Sequence, residues 1–182
     1  MDYVILTKET EEKIQEIRRR IRRLQNWGNI TSLRHLSVST SQQVGASFVS
    51  LKELAARYTP DKTVAEALWL TRQREEQILA CFLLPKTINK EKITQFMPYC
   101  LNPEIAEYMG SLVIASHPDI REIIENWSQS SEPFLQIAAL CAGARHLVLH
   151  KTAPLISQEE FKTLVTKEYE DRYVRLVAER YR

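Results

Sequence analysis

Three prolines, Pro103, Pro118 and Pro133, stand fifteen residues apart, and each opens a run in which apolar residues recur at helical spacing. Proline is excluded from a helix interior but tolerated at the first position, where the missing amide would have had no partner. The three positions therefore read as helix starts, with runs Pro103–Ser116, Pro118–Ser128 and Pro133–His150. Ile105, Tyr108, Met109 and Leu112 are in register in the first run, and Ile120, Ile123, Ile124 and Trp127 in the second. Two such units make a helical hairpin of about 30 residues, which is the length of one repeat in a helical array. The third run, PFLQIAALCAGARHLVLH, is apolar nearly all round and is expected to be the most buried helix. Its Ala138, Ala139, Ala142, Gly143 and Ala144 would let neighbouring helices approach closely.

The rest of the chain follows the same logic. In Ala67–Pro85 a helix ends at Trp69 and Leu70, turns at Thr71 and Arg72, and a second helix runs from Gln73 to Leu84. Ile78, Leu79, Phe82 and Leu83 form its apolar face, and Arg74, Glu75, Glu76 and Gln77 lead into it as polar residues. Thr7 or Thr10 caps a first helix reaching about Asn26, with Gly28 as its stop. Its apolar stripe is Ile14, Ile17, Ile21 and Leu24, and five arginines from Arg18 to Arg23 lie late, the order a helix dipole prefers. Tyr3–Leu6 is β-prone, Thr31–Leu36 reads as a helical turn and Ser37–Val49 as a polar loop. Ser50 with Glu53, and Ser157 with Glu160, have capping-box spacing, and Thr59 and Pro60 read as cap and first-turn proline of the helix before Trp69. Asn89 to about Met97 reads as a helix closed by Pro98, and Tyr169, Tyr173, Leu176 and Val177 lie along one side of the last stretch. The expected fold is all-α: a curved superhelical array of antiparallel helix pairs, HEAT-like, in one domain over residues 1–182.

Composition narrows the function classes. Apolar residues at 44 % and charged residues at 26 % are those of an ordinary globular protein, and no apolar run approaches a bilayer span. The start, MDYVILTKETEEK, has no basic segment before an apolar core, so no signal peptide and a cytoplasmic location are expected. Cys81, Cys100 and Cys141 are odd in number and widely spaced, which predicts buried thiols rather than disulfides or a zinc site. His35, His117, His146 and His150 make no metal motif, and neither metal nor cofactor is expected. No Gly-rich phosphate loop and no Ser-His-Asp or Cys-His set is present. The net charge of +2 neither demands nor excludes a nucleic acid.

Three stretches carry a resemblance: GASFVSLKELA (45–55), AEALWLTRQREEQILACFLLP (65–85) and SSEPFLQIAALCAGAR (130–145). Together they resemble the HEAT-like-repeat DNA alkylation repair proteins, the AlkD-type glycosylases and their shorter relatives. In that family a short helix follows a Gly-Val-Ser loop, then come Leu-Trp and Arg-Glu-x-x-x-Leu-Ala. Leu68, Trp69, Arg74, Glu75, Leu79 and Ala80 fall on that pattern. The resemblance implies removal of alkylated purines from duplex DNA held in a basic groove. It also implies an acidic residue and aromatic rings that stabilise charge on the sugar, with an arginine nearby.

The chain departs from the family at that site. Where the family helix begins Trp-Leu-x-Arg-Ala-Ala, this chain has Phe134 and Ile137 in place of the tryptophan and the arginine. The segment expected to carry a tryptophan pair and an aspartate, Leu101–Tyr108, has no tryptophan, and only Glu104 or Glu107 answers for the aspartate. No complete catalytic set is therefore expected, with Glu107 the candidate carboxylate, and excision is expected to be weak or absent. Arg19, Arg22, Arg23, Arg74, Arg145 and Lys151 are the candidate contacts to duplex DNA, against the plainer reading of each as solvated surface. Trp69 and Trp127 are expected in the core and Trp27 at a freer helix end. The alternative function is a non-catalytic helical-repeat scaffold that binds a protein partner.

Overall fold

The computed structural model describes residues 6–25 and 44–182, and among these residues there are ten α-helices and no strand. The β-prone run except Leu6, the turn at Thr31–Leu36, Ser37–Gln43, Trp27 and Gly28 lie outside the described residues. Contacts divide the chain into two compact units, Met1–Pro85 and Lys86–Arg182.

In the first unit the helices are α1 (Lys8–Arg23), α2 (Phe48–Ala55), α3 (Lys62–Trp69) and α4 (Arg74–Leu83). Thr7 caps α1 by accepting from the Thr10 amide at 3.2 Å, and Ile14, Ile17 and Ile21 bury its apolar stripe. Helices α3 and α4 run antiparallel: the Asp61 amide, before α3, donates to the Leu83 carbonyl at the end of α4, 2.8 Å away. Arg72, with φ of 55°, turns the chain between them. Two caps differ from expectation. Asp61 caps α3, its Oδ1 accepting from Thr63 and Val64, so Thr59 and Pro60 stay outside the helix. Ser47 rather than Ser50 caps α2. In both places a side-chain oxygen reached the amide two or three residues on, and the helix starts after that oxygen.

The second unit comprises α5 (Lys90–Phe96), α6 (Pro103–Tyr108), α7 (Ile120–Ser128), α8 (Pro133–Leu149), α9 (Gln158–Thr166) and α10 (Arg172–Arg180). Helix α6 widens to a π turn at Met109–Val113 and tightens to a 3₁₀ turn at Ile114–Ser116, so the whole expected run is helical. Pro118 precedes α7, which begins at Ile120. Helix α8 is the centre of this unit, with α6, α7, α9 and α10 packed on it and Ile137 to Gly143 continuously buried. Close approach is real there: a Cβ on Gly110 would lie 2.2 Å from the Ala138 carbonyl oxygen. A Cβ on Gly143 would meet the Phe161 ring at 2.7 Å. Ser157 and Glu160 form the capping box of α9. The Ser157 amide, then the Arg121 guanidinium, hold the Glu160 carboxyl down at about 2. On α10 the buried residues are Val174, Val177 and Ala178, while Tyr173 and Leu176 are exposed, so the expected apolar side is only partly covered.

Trp69 and Trp127 are core residues and all three cysteines are buried thiols, as expected. Among the described residues no helix is long and apolar enough to cross a membrane.

Candidate functional site

The arginines of α1 separate into two sets. Arg18 leans across to α4, its Nε and Nη2 donating to both oxygens of the Glu76 carboxylate at 3.0–3.3 Å. Arg20 pairs with Glu16 one turn earlier at 2.7 Å. Arg19, Arg22 and Arg23 are exposed, and their spacing of three and four puts them on one face, away from Ile14, Ile17 and Ile21. In the second unit Arg145 and Lys151 are exposed at and just beyond the end of α8.

Arg74 differs from the surface cation expected of it. It is buried at 8 % exposure, and its Nη1 donates to the Ala46 carbonyl at 3.1 Å and to the neighbouring Glu75 at 3.4 Å. Glu75 Oε1 in turn accepts from the amides of Val44 and Gly45, at 3.3 and 3.0 Å. Gln77 donates to the Trp69 carbonyl at 2.8 Å. The polar lead-in of α4 is thus a buried network that holds the backbone of 44–46 and the end of α3. Gln73 offers α4 no side-chain cap, and a first turn carrying Glu75 and Glu76 suits the positive end of the helix. A phosphate would have to displace these partners to reach Arg74.

The family's active-site positions lie at the start of α8. Phe134 is half-buried and Ile137 fully buried, and both line a cleft of about 170 Å³ within the second unit. The other walls are Pro103, Pro133, Tyr173 and two carboxylates, Glu132 and Asp171. The cleft is framed by three helix starts: Pro103 opens α6, Glu132 precedes α8 and Asp171 precedes α10. Asp171 Oδ1 accepts from the amides of Tyr173 and Val174, at 2.8 and 3.0 Å. Neither Glu132 nor Asp171 is ion-paired among the described residues. Glu107 does not line this cleft. It is held by Arg180, with Nη1 2.6 Å from Oε2, beside Cys141 and Tyr181. Burial pushes the Cys141 thiol and the Tyr181 phenol up to about 12, so neither ionises near neutrality.

Asp171 and Glu132 were absent from the sequence-derived candidates. The Asp171 position had a signal, an aspartate two residues ahead of an apolar helical run, which is a cap. Glu132 offers none beyond preceding Pro133. Among the described residues no group of three His, Cys, Asp or Glu could hold a metal ion. His146 is instead fixed by backbone, Nδ1 donating to the Ala115 carbonyl at 2.7 Å and Nε2 accepting from the Leu155 amide at 2.9 Å.

The family model described as DNA alkylation repair enzyme matches residues 10–164. The chain belongs to this family. The match runs from α1 into α9 and covers the buried network of α4, Phe134 and Ile137, whereas Asp171 and Tyr173 lie beyond it. No curated protein and no solved structure matches. In this DNA alkylation repair family member the α4 network ties these positions together: the Trp69 carbonyl accepts from Gln77, Arg74 donates to the Ala46 carbonyl and Glu75 accepts from the Gly45 amide.

Proposed function

We propose that this chain binds duplex DNA and engages alkylated purines with little or no excision. The observation that carries the reading is the cleft at the start of α8, where two carboxylates without an ion pair among the described residues and two aromatic side chains line the space with Ile137. Such walls favour a flat cationic ring over a neutral one, through the ring faces and the two negative charges. A cleft of about 170 Å³ suits one such ring at most. Glycosidic cleavage needs charge stabilisation at the sugar, and no cation lines this cleft. The exposed Arg19, Arg22 and Arg23 in the first unit, and separately Arg145 and Lys151 in the second, are the proposed phosphate contacts. We also infer that the helix pairs are HEAT-like repeats, consistent with the antiparallel α3–α4 pair and with the fifteen-residue prolines.

Fluorescence anisotropy with plain duplexes and duplexes bearing one N-alkylated purine, at low and moderate salt, tests this. Binding should fall with salt at a slope of about −0.9 per phosphate contacted. The alkylated duplex should be preferred, and Asp171→Asn, which keeps the helix cap, should remove that preference. Rapid base release would overturn the weak-excision reading. No binding even at low salt would retire DNA altogether and favour the protein-partner scaffold, for which Val148, Leu149 and Leu155 are among the exposed apolar side chains.

A further inference from the structure

A second cleft in the Lys86–Arg182 unit, of about 340 Å³, has three cations and two carboxylates in its walls. Tyr169 and Ala178, both buried, line it, and Lys167, Arg175 and Arg182 stand around it. Each of the three cations is held by backbone. Lys167 Nζ donates to the Ser128 carbonyl at 2.9 Å and lies 5.7 Å from the centre of the Tyr169 ring. Arg175 Nη1 donates to the carbonyls of Tyr169 and Glu170, at 3.1 and 2.7 Å. Arg182 Nε donates to the Val165 carbonyl at 3.0 Å.

These partners are neutral. Arg18, Arg20, Arg121 and Arg180 are each matched by a carboxylate, whereas Lys167, Arg175 and Arg182 make no ion pair among the described residues. Glu168 and Glu179 also line the cleft without reaching them as salt bridges. Carbonyl contacts fix the side chains at one or two donors each, and a guanidinium has five and an ammonium three. The remaining donors of three cations, set against two carboxylates, are pre-positioned around one space, and such donors are what an oxyanion requires.

We propose that this cleft binds a phosphate group through Lys167, Arg175 and Arg182. The inference does not depend on the DNA reading, since the phosphate could be free or part of a nucleic-acid backbone. Calorimetric titration of the full chain with inorganic phosphate, ionic strength held constant with chloride, should show saturable binding at one site. Lys167→Gln and Arg175→Gln should each weaken it roughly tenfold, the loss of one charge-assisted hydrogen bond. Glu179→Gln should tighten it about fivefold, since it removes one negative charge a few ångströms away in a wet site. A gain of affinity cannot come from misfolding, so this variant decides the matter even where the others melt early.

Duplex DNA separates the two sources. If the occupant is a backbone phosphate, Lys167→Gln also lowers the salt slope of DNA binding by about 0.9. If it is free phosphate, the slope stays and only the phosphate titration changes. Failure of wild-type protein to bind phosphate, or indifference to Glu179→Gln, overturns the proposal. Failure to bind DNA leaves the phosphate titration intact and counts against the proposed function alone.

Discussion

Helices α1 and α4 carry similar charged residues and treat them in opposite ways. On α1 the charges line the outside of a helix whose apolar stripe is narrow, and Arg19, Arg22 and Arg23 remain in water. On α4 every residue from Arg74 to Cys81 is buried, including Arg74, Glu75, Glu76 and Gln77. The difference lies in the backbone around them. The amides of Val44 and Gly45 and the carbonyls of Ala46 and Trp69 need partners in the interior, and the α4 side chains supply them. A polar residue therefore enters a core when the chain nearby leaves polar groups there.

The comparison can be broken most forcefully at Glu75. Glu75→Ala should cost about 3–5 kcal/mol in denaturant unfolding, because it leaves the Val44 and Gly45 amides without their acceptor in the interior and removes one partner of the buried Arg74. A loss below 1 kcal/mol would mean that the network is ornamental. Glu75→Gln keeps an acceptor for the amides and should cost less.

Arg18 is the bridge between the two helices, part-exposed on α1 and bound to the buried Glu76 of α4. Arg18→Ala should cost about 1–3 kcal/mol, because an unpartnered Glu76 cannot reach water as α1 charges do. An unchanged midpoint would place Glu76 with the solvated group.

Asp61 lies between these cases, partly exposed and paired with Lys13 of α1 at 3.0 Å. Burial pushes its carboxyl up, but the Lys13 hydrogen bond and the amides of Val64 and Thr63 outweigh it, leaving the group below its ordinary value of 3.8. Its folded form holds the proton more weakly than the unfolded form does, so its contribution is present above that value and is lost as pH falls below it. Asp61→Asn keeps the cap, and a melting series from pH 5 downward (about two units) should show a shallower acid limb.

The smallest stability effect belongs to the exposed set. Arg19→Gln, Arg22→Gln and Arg23→Gln should each change unfolding by no more than about 0.5 kcal/mol. Each should flatten the salt dependence of DNA binding by up to about 0.9. Stability losses like that of Arg18→Ala would show that these arginines are structural too.

Much of the helical layout was legible because local rules govern it. Pro103 and Pro133 begin helices, Ser157 and Glu160 close a capping box, and the α3 turn falls at Leu70 to Gln73. The caps at Ser47 and Asp61 were missed by a few residues because neighbouring Ser, Thr and Pro offered equally good local signals. The candidate site was less legible. Phe134 and Ile137 share a cleft, but Glu107 is engaged by Arg180, seventy-three residues away in sequence. The cleft's carboxylates come from two separate helix starts, Glu132 and Asp171, which no spacing rule joins.

Sequence alone determined that this chain is helical where it is described, where most helices begin, and that α8 is apolar nearly all round; α8 was expected to be the most buried helix, but α4 is buried more completely. Those properties depend on residues within a turn or two of one another, where capping and periodicity act. Tertiary structure decided which charges are buried, which carboxylates face a cleft, and that three cations held by backbone carbonyls, without an ion pair among the described residues, gather around an open space. Those outcomes depend on side chains that meet only after packing, and desolvation there rewards a partner wherever the fold supplies one.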